Sequence, residues 1–287
     1  MSFAALLETL NSVIWSPALV FLCLAVGVYF TLTTLFLQVR CLPDMMRQIV
    51  SNKKSGSGVS SFESLMISLA GRVGVGNIAG VATAIAFGGP GAVFWMWAVA
   101  LLGSATSFIE CTLAQIYKEK DRDTGEYRGG PAYYIEKAYK HTRAGKFMLV
   151  YAVVFAVAMM LATSYFLPGI QANGVAAAMH NAWGTDVRIS AVVLGILLAV
   201  IIMGGVRRIA NFASLVVPLM AVVYILASIV IMFVNFDRID DVFSLIFRSA
   251  FDQEAMFSGM LGAAIMWGVK RGIYSNEAGQ GTGPQSA

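Results

Sequence analysis

Charged residues are confined to short stretches of this chain, and between them the side chains are almost wholly apolar. No Asp, Glu, Lys or Arg occurs in 9–39, 73–109, 147–185, 189–206, 209–236 or 255–269. A helix crossing the hydrocarbon core of a bilayer needs about 20 largely apolar residues. Most of these runs are therefore long enough to span, and two exceed a single crossing. The expected membrane helices lie at about 13–38, 62–87, 91–117, from 147 onward, 189–204, 209–234 and 255–269. The tetrapeptide Gly88-Gly89-Pro90-Gly91 is too tight and glycine-rich to stay helical and separates the second from the third. Pro168 and Gly169, in "FLPGIQANG", are expected to interrupt the fourth.

The polar stretches orient these helices. Residues 40–54 carry Arg40, Arg47, Lys53 and Lys54 against a single Asp44. Residues 118–146 carry Lys118, Lys120, Arg122, Arg128, Lys137, Lys140, Arg143 and Lys146, and Arg207-Arg208 mark a third basic turn. Short basic loops face the cytoplasm, so the spans at 13–38, 91–117 and 255–269 run from outside to inside and 62–87 returns. The acidic stretch 237–254 then lies outside. Pro131, at the head of "PAYYIEKAYK", fits the first turn of a short interfacial helix.

Composition agrees. Hydrophobic residues make up 58% and charged residues 13% of the chain, and mean hydropathy is +0.73. Such a chain cannot clothe a water-facing surface, so an all-α polytopic membrane protein is expected. The net charge of +4 sits in the loops and signals topology, with no nucleic acid implied. Cys23, Cys41 and Cys111 have neither metal-ligand spacing nor a disulfide frame. The first span lacks a basic n-region and is long for a signal peptide, so it is expected to be retained.

One motif invites a different reading. Gly74-Val75-Gly76-Asn77-Ile78-Ala79 matches G-x-G-x-x-A, the spacing that cradles a dinucleotide pyrophosphate. That fingerprint requires a preceding strand and an acidic residue about 20 positions on. Here an apolar run precedes it, Trp95, Met96 and Trp97 stand where the acid should be, and no nucleotide is expected. Two readings stay open. Small residues let membrane helices approach closely, and Gly76 with Gly80 forms a small-xxx-small pair. Alternatively Gly71, Gly74, Gly76 and Gly80, beside Arg72 and Asn77, mark a discontinuous helix, because glycine disfavours helix by about 1 kcal/mol relative to alanine. Freed carbonyls there can ligand a cation, while the N-terminus of the next half-helix faces a carboxylate. A second cluster, Gly259, Gly262, Gly268, Gly272, Gly279, Gly281 and Gly283, repeats the character in a segment of opposite direction.

The stretches "GRVGVGNIAGVATAIAFGGPGAVFWMW", "GGPAYYIEKA", "GGVRRIANFASLVVPLMA" and "RGIYSNEAGQGTGP" resemble the alanine-or-glycine:cation symporter family, the sodium:alanine symporters. The resemblance runs from about residue 15 to the end. It implies a leucine-transporter-like inverted repeat whose first repeat is complete and whose second is truncated, since members carry several further spans. On that mapping 1–39 is an extra N-terminal transmembrane helix, 40–61 a cytoplasmic loop, and 62–236 the first five-helix repeat, broken at 71–80. An extracytoplasmic segment follows at 237–254, and 255–287 is the broken helix that opens the second repeat.

The resemblance also implies an activity: symport of a small neutral amino acid, alanine or glycine, driven by sodium, with protons as the second possible coupling ion, by alternating access across a bacterial plasma or inner membrane. Gly74, Gly76, Asn77, Ile78 and Ala79 would form the unwound substrate segment. Gln171 and Asn173 would reach the ammonium group, and Trp267, Gly268 and Gly272 would contribute from the second broken helix. Gly74, Asn77 and Ser275 are the sodium candidates, with Arg72 and Glu277 as gate or ion pair. A membrane-embedded enzyme is the rival class, but no H-E-x-x-H, G-x-S-x-G or Ser/Lys spacing is present. A channel-like pore lined by the glycines is a second rival, and an inactive transporter fragment a third.

Overall fold

The computed structural model describes residues 3–51, 60–123, 125, 127–251 and 260–285. The expected boundary between the acidic segment and the last apolar run, at 254–255, falls outside them, as does Gly259. Among the described residues the chain is helical apart from one two-residue antiparallel ladder.

Among the described residues five helical stretches are long and apolar enough to cross a membrane: Ala5–Thr33, Ser61–Gly88, Gly91–Tyr117, Gly145–Trp183 and Arg208–Val234. Val187–Ile202 is a shorter apolar helix. Their outward faces are apolar too. On the last long helix Leu219, Val222, Val223, Ile225, Leu226 and Val230 are all exposed. A helix of a water-soluble domain keeps a polar face, and this exposed apolar face fits a multi-pass membrane protein instead.

In chain order, α1 is Phe3–Ile14 and α2 Pro17–Thr33, parted at Trp15 and Ser16 with Pro17 opening the second. The first span thus starts at Ala5, about eight residues before the expected position 13, because Glu8 is carried on an exposed face. Two short helices, α3 (Leu37–Arg40) and α4 (Leu42–Ser51), follow. α5 (Ser61–Arg72) starts at a complete capping box: Ser60 Oγ accepts from the Glu63 N–H at 3.2 Å, and Ser60 N–H donates to Glu63 Oε2 at 2.6 Å. α6 is Val75–Gly88 and α7 Gly91–Tyr117. The ladder pairs β1 (Glu119–Lys120) with β2 (Tyr127–Arg128), and α8 (Pro131–Tyr139) opens at the proline as expected.

α9 (Gly145–Leu161) and α10 (Leu167–Trp183) are joined by a π turn over Ala162–Phe166. The expected interruption at Pro168 and Gly169 is thereby corrected. The missing proline N–H is absorbed by one wide turn just upstream, a known accommodation in long helices, and the helix continues. α11 is Val187–Ile202, α12 Gly205–Val234, α13 Ile239–Phe251 and α14 Met260–Asn276.

The structure comprises two compact units. A compact unit gathers what packs together, whereas a repeat is a stretch of chain order, so these divisions differ from the segments above in kind. One unit holds Met1–Leu42, Gly80–Ile109 and Val230–Gln280. Its core joins Val20, Val99, Val269 and Ile273 from α2, α7 and α14. A Cβ on Gly268 would lie 2.5 Å from Trp95 Cβ, one on Gly272 3.3 Å from Met96 Cα, and one on Gly103 2.8 Å from Ala278 Cβ. Contacts that advance together along both chains mean that α7 and α14 run parallel, which is the relation the loop charges require. Outside this core, Phe243, Phe247 and Phe251 of α13 lie against Trp97, Phe94 and Trp95.

The other unit holds Pro43–Ala79, Glu110–Ile229 and Gly281–Ala287. There α5 packs on α12 through Met66, Ala213 and Val217, and α8 packs on α9 as α10 does on α11. Gly281 is seated against α8 and α9. At φ +76°, it leaves no room for a Cβ, which would lie 2.6 Å from the Phe155 ring and 3.0 Å from Pro131.

Candidate functional site

The break between α5 and α6 lies in the second unit. α5 spans 12 residues and α6 14, which is about 18 Å and 21 Å at 1.5 Å per residue. The interruption at Val73 and Gly74 therefore lies near the middle of the span. Val73 takes an extended conformation (φ −94°, ψ 106°) after closing α5 with its N–H on Leu69 O. The ends of two half-helices meet there. The last carbonyls of α5 and the first N–H groups of α6 have no intrahelical partners, so a partly negative and a partly positive end face the same gap.

Gln171 of α10 answers one of these groups. Its Oε1 accepts from the Val75 N–H at 3.1 Å, capping α6 from a residue 96 positions away. Gly74 makes the approach possible, since a Cβ there would lie 3.0 Å from the same oxygen. One turn further along α10, Gly174 admits Val75: a Cβ on Gly174 would lie 2.7 Å from Val75 Cγ2. Gly174 and Val75 belong to the site although sequence reasoning passed over them. The available signal was that Gln171 and Gly174 sit at i, i+3, on one helix face.

Asn77, in the first turn of α6, holds its Oδ1 buried and without a hydrogen-bond partner among the described residues. A buried acceptor left unpaired costs about 1–3 kcal/mol, so one in a native site calls for a ligand such as a water or an ion. A neutral amide oxygen is the donor type that a hard cation prefers.

The other expected residues are placed as follows. Gly76 is buried, whereas Ile78 and Ala79 are exposed. All three, with Asn77, are helical, which corrects the expected unwinding from Gly74 to Ala79: the linker is two residues long and lies at the upstream edge of the glycine cluster. Asn173 is exposed, on a different side of α10 from Gln171 and Gly174. Arg72 is hydrogen-bonded to Ser68 one turn back.

In the first unit, Gly268 and Gly272 pack on α7 within the continuous helix Met260–Asn276, and the irregular backbone of the segment 255–287 begins after Asn276. α14 continues to Asn276 and ends at Glu277, which holds the left-handed conformation (φ +56°) and donates its N–H to Ile273 O at 2.9 Å. Asn276 fixes this end by donating from Nδ2 to Val99 O at 3.2 Å and accepting from the Ala278 N–H at 3.0 Å. Ser275 is half-buried in the same turn. Trp267 stacks on Phe87 at 4.9 Å and 19°, with the Lys270 ammonium 5.3 Å and the Arg271 guanidinium 5.5 Å from its ring. No group of three or more His, Cys, Asp or Glu able to hold a metal occurs among the described residues.

Comparison with known proteins supplies a family. Residues 1–287 match the model of the sodium:alanine symporter family. The chain is 53% identical to YrbD of Bacillus subtilis, whose name ties it to sodium/proton-dependent alanine carriage, over 99% of this chain and 57% of that protein. It is 44% identical to the Probable sodium/glutamine symporter GlnT of Bacillus subtilis, over 96% of this chain and 56% of that protein. With the sodium/alanine symporter AgcS of Methanococcus maripaludis identity is 42%, over 100% of this chain and 63% of AgcS. The chain thus spans between 56% and 63% of the length of these relatives. A family model over the whole chain, and relatives of this identity, mean that the chain belongs to the sodium:alanine symporter family.

Proposed function

We propose that the full-length protein is a multi-pass transporter of a bacterial inner membrane that couples sodium entry to uptake of a small neutral amino acid, alanine or glycine, by alternating access. The observation that carries this reading is the mid-span break with an orphaned Asn77 oxygen beside it. The positive end of α6 suits a substrate carboxylate, and the carbonyl end of α5, with Asn77 Oδ1, suits sodium. Gln171 marks where the carboxylate oxygen sits, because its amide oxygen already occupies an N–H of that helix end. In this reading α5–α6 opens one inverted repeat and α14 the other, with the turn Ser275–Glu277 as its counterpart.

The full-length protein reconstituted in liposomes is expected to accumulate labelled alanine when sodium outside exceeds sodium inside, and to stop when the gradient is collapsed. Uptake that ignores sodium and proton gradients alike would overturn the symport reading. Accumulation driven by protons alone would replace sodium as the coupling ion.

A further inference from the structure

A cleft of about 320 Å³ opens in the second unit beside the end of α7, lined by Lys118, Arg128, Tyr127, Tyr133, Gly130 and Pro284 among others. Its volume falls within the range of ordinary ligand pockets, about 300–1,000 Å³. Lys118 follows the last residue of the 27-residue span Gly91–Tyr117, so the cleft sits at the headgroup layer, on the face that the basic loops mark as cytoplasmic.

Its charges are unequal in availability. Lys137, on α8, is taken up by Glu119 at 2.8 Å and by the Tyr117 carbonyl at 2.6 Å, and this ion pair holds the Glu119 carboxyl below its ordinary range. Arg128 is bridged to Asp121. Lys118 bonds only the neutral amide of Gln115, lies 4.6 Å over the Tyr127 ring, and has no carboxylate partner among the described residues. Gly130 and Tyr133 belong both to the lining and to the first turn of α8, so the positive end of that nine-residue helix adds to the field. Two tyrosines with an apolar body and a polar tip complete a site suited to the membrane–water boundary.

We propose that this cleft binds the phosphate of an anionic phospholipid headgroup in the cytoplasmic leaflet, with Lys118 as its principal charge. Basic pockets at the cytoplasmic ends of membrane helices recognise such headgroups, and each lysine near an anionic surface is worth about fivefold in binding. A lipid is favoured over a free anion because the cleft borders the end of α7, a 27-residue helix apolar enough to cross a membrane.

The test is native mass spectrometry of the full-length protein in neutral detergent, titrated with phosphatidylglycerol or phosphatidylcholine. Wild type is expected to retain phosphatidylglycerol in preference, Lys118→Gln to lose about fivefold in that retention, and Lys118→Arg to keep it. Inorganic phosphate at millimolar concentration is expected to leave the bound lipid in place. Equal retention of the two lipids by wild type, undiminished retention in Lys118→Gln, or displacement by inorganic phosphate would each overturn the proposal. The wild-type lipid preference is read independently of how well any variant folds.

Discussion

Replacing Gly74 by leucine in the full-length protein is expected to lower sodium-driven alanine uptake by about 100-fold or more while leaving membrane insertion intact. A Cβ at this position would already lie 3.0 Å from Gln171 Oε1 and 3.4 Å from Cδ and Nε2. The remaining leucine carbons would push the amide off the Val75 N–H. That leaves a helix-end donor without its partner, at a cost of about 1–3 kcal/mol, and fills the gap between the half-helices with hydrocarbon. Gly74→Ala is the milder case, in which the amide must yield by a few tenths of an ångström, and a partial loss is expected. Insertion should not suffer, because leucine is more apolar than glycine and the span remains charge-free from Val73 onward. The measurement is initial uptake in liposomes, with protease accessibility of the loops as the insertion control. Uptake within twofold of wild type would mean that the glycines serve helix packing and that the break does not form the binding site.

What could be read ahead of the structure follows from where the information resides. Spans are local: an apolar run bounded by Arg40, or by Glu110, announces itself without reference to the rest of the chain. The break is only half local. Four glycines between 71 and 80 make unwinding cheap across the whole stretch, but they do not choose a residue. The structure makes the choice at Val73–Gly74, where Gln171 can cap the new helix end, and a partner 96 positions away leaves no trace in the local pattern. The same limit explains Asn173. The resemblance nominated it together with Gln171, and only the register of α10 against α6 separates the two. The second glycine cluster shows the opposite ambiguity. Gly268 and Gly272 have the spacing of a packing face, and that is how they are used. The irregular backbone begins after Asn276, where Glu277, Gly279 and Gly281 hold positive φ.

This division of labour between the clusters gives the second large effect. Gly268→Ala is expected to destabilise the full-length protein strongly, by about 1–3 kcal/mol or more, because inserting a methyl group into a close-packed contact forces backbone shifts. The added carbon would sit 2.5 Å from Trp95 Cβ and 2.6 Å from Ala92 O. Neither the root of a side chain nor a helix carbonyl can move without moving α7. The contact lies in the same core as Val269, Val99 and Val20, so the disturbance reaches α2 as well. Gly262, six residues earlier on α14, is the internal control: among the described residues nothing lies within 4 Å of a Cβ there, and alanine favours helix by about 1 kcal/mol over glycine. Gly262→Ala should therefore leave thermal stability unchanged or slightly raised. The check is the unfolding midpoint of each purified variant in detergent, with uptake measured alongside. A hinge at Gly268 predicts another pattern, in which alanine raises the midpoint by reinforcing the helix and abolishes transport. A fall in the midpoint for Gly268→Ala, with none for Gly262→Ala, assigns Gly268 to the packing of α14 on α7 and confines the irregular backbone of this segment to the turn beyond Asn276.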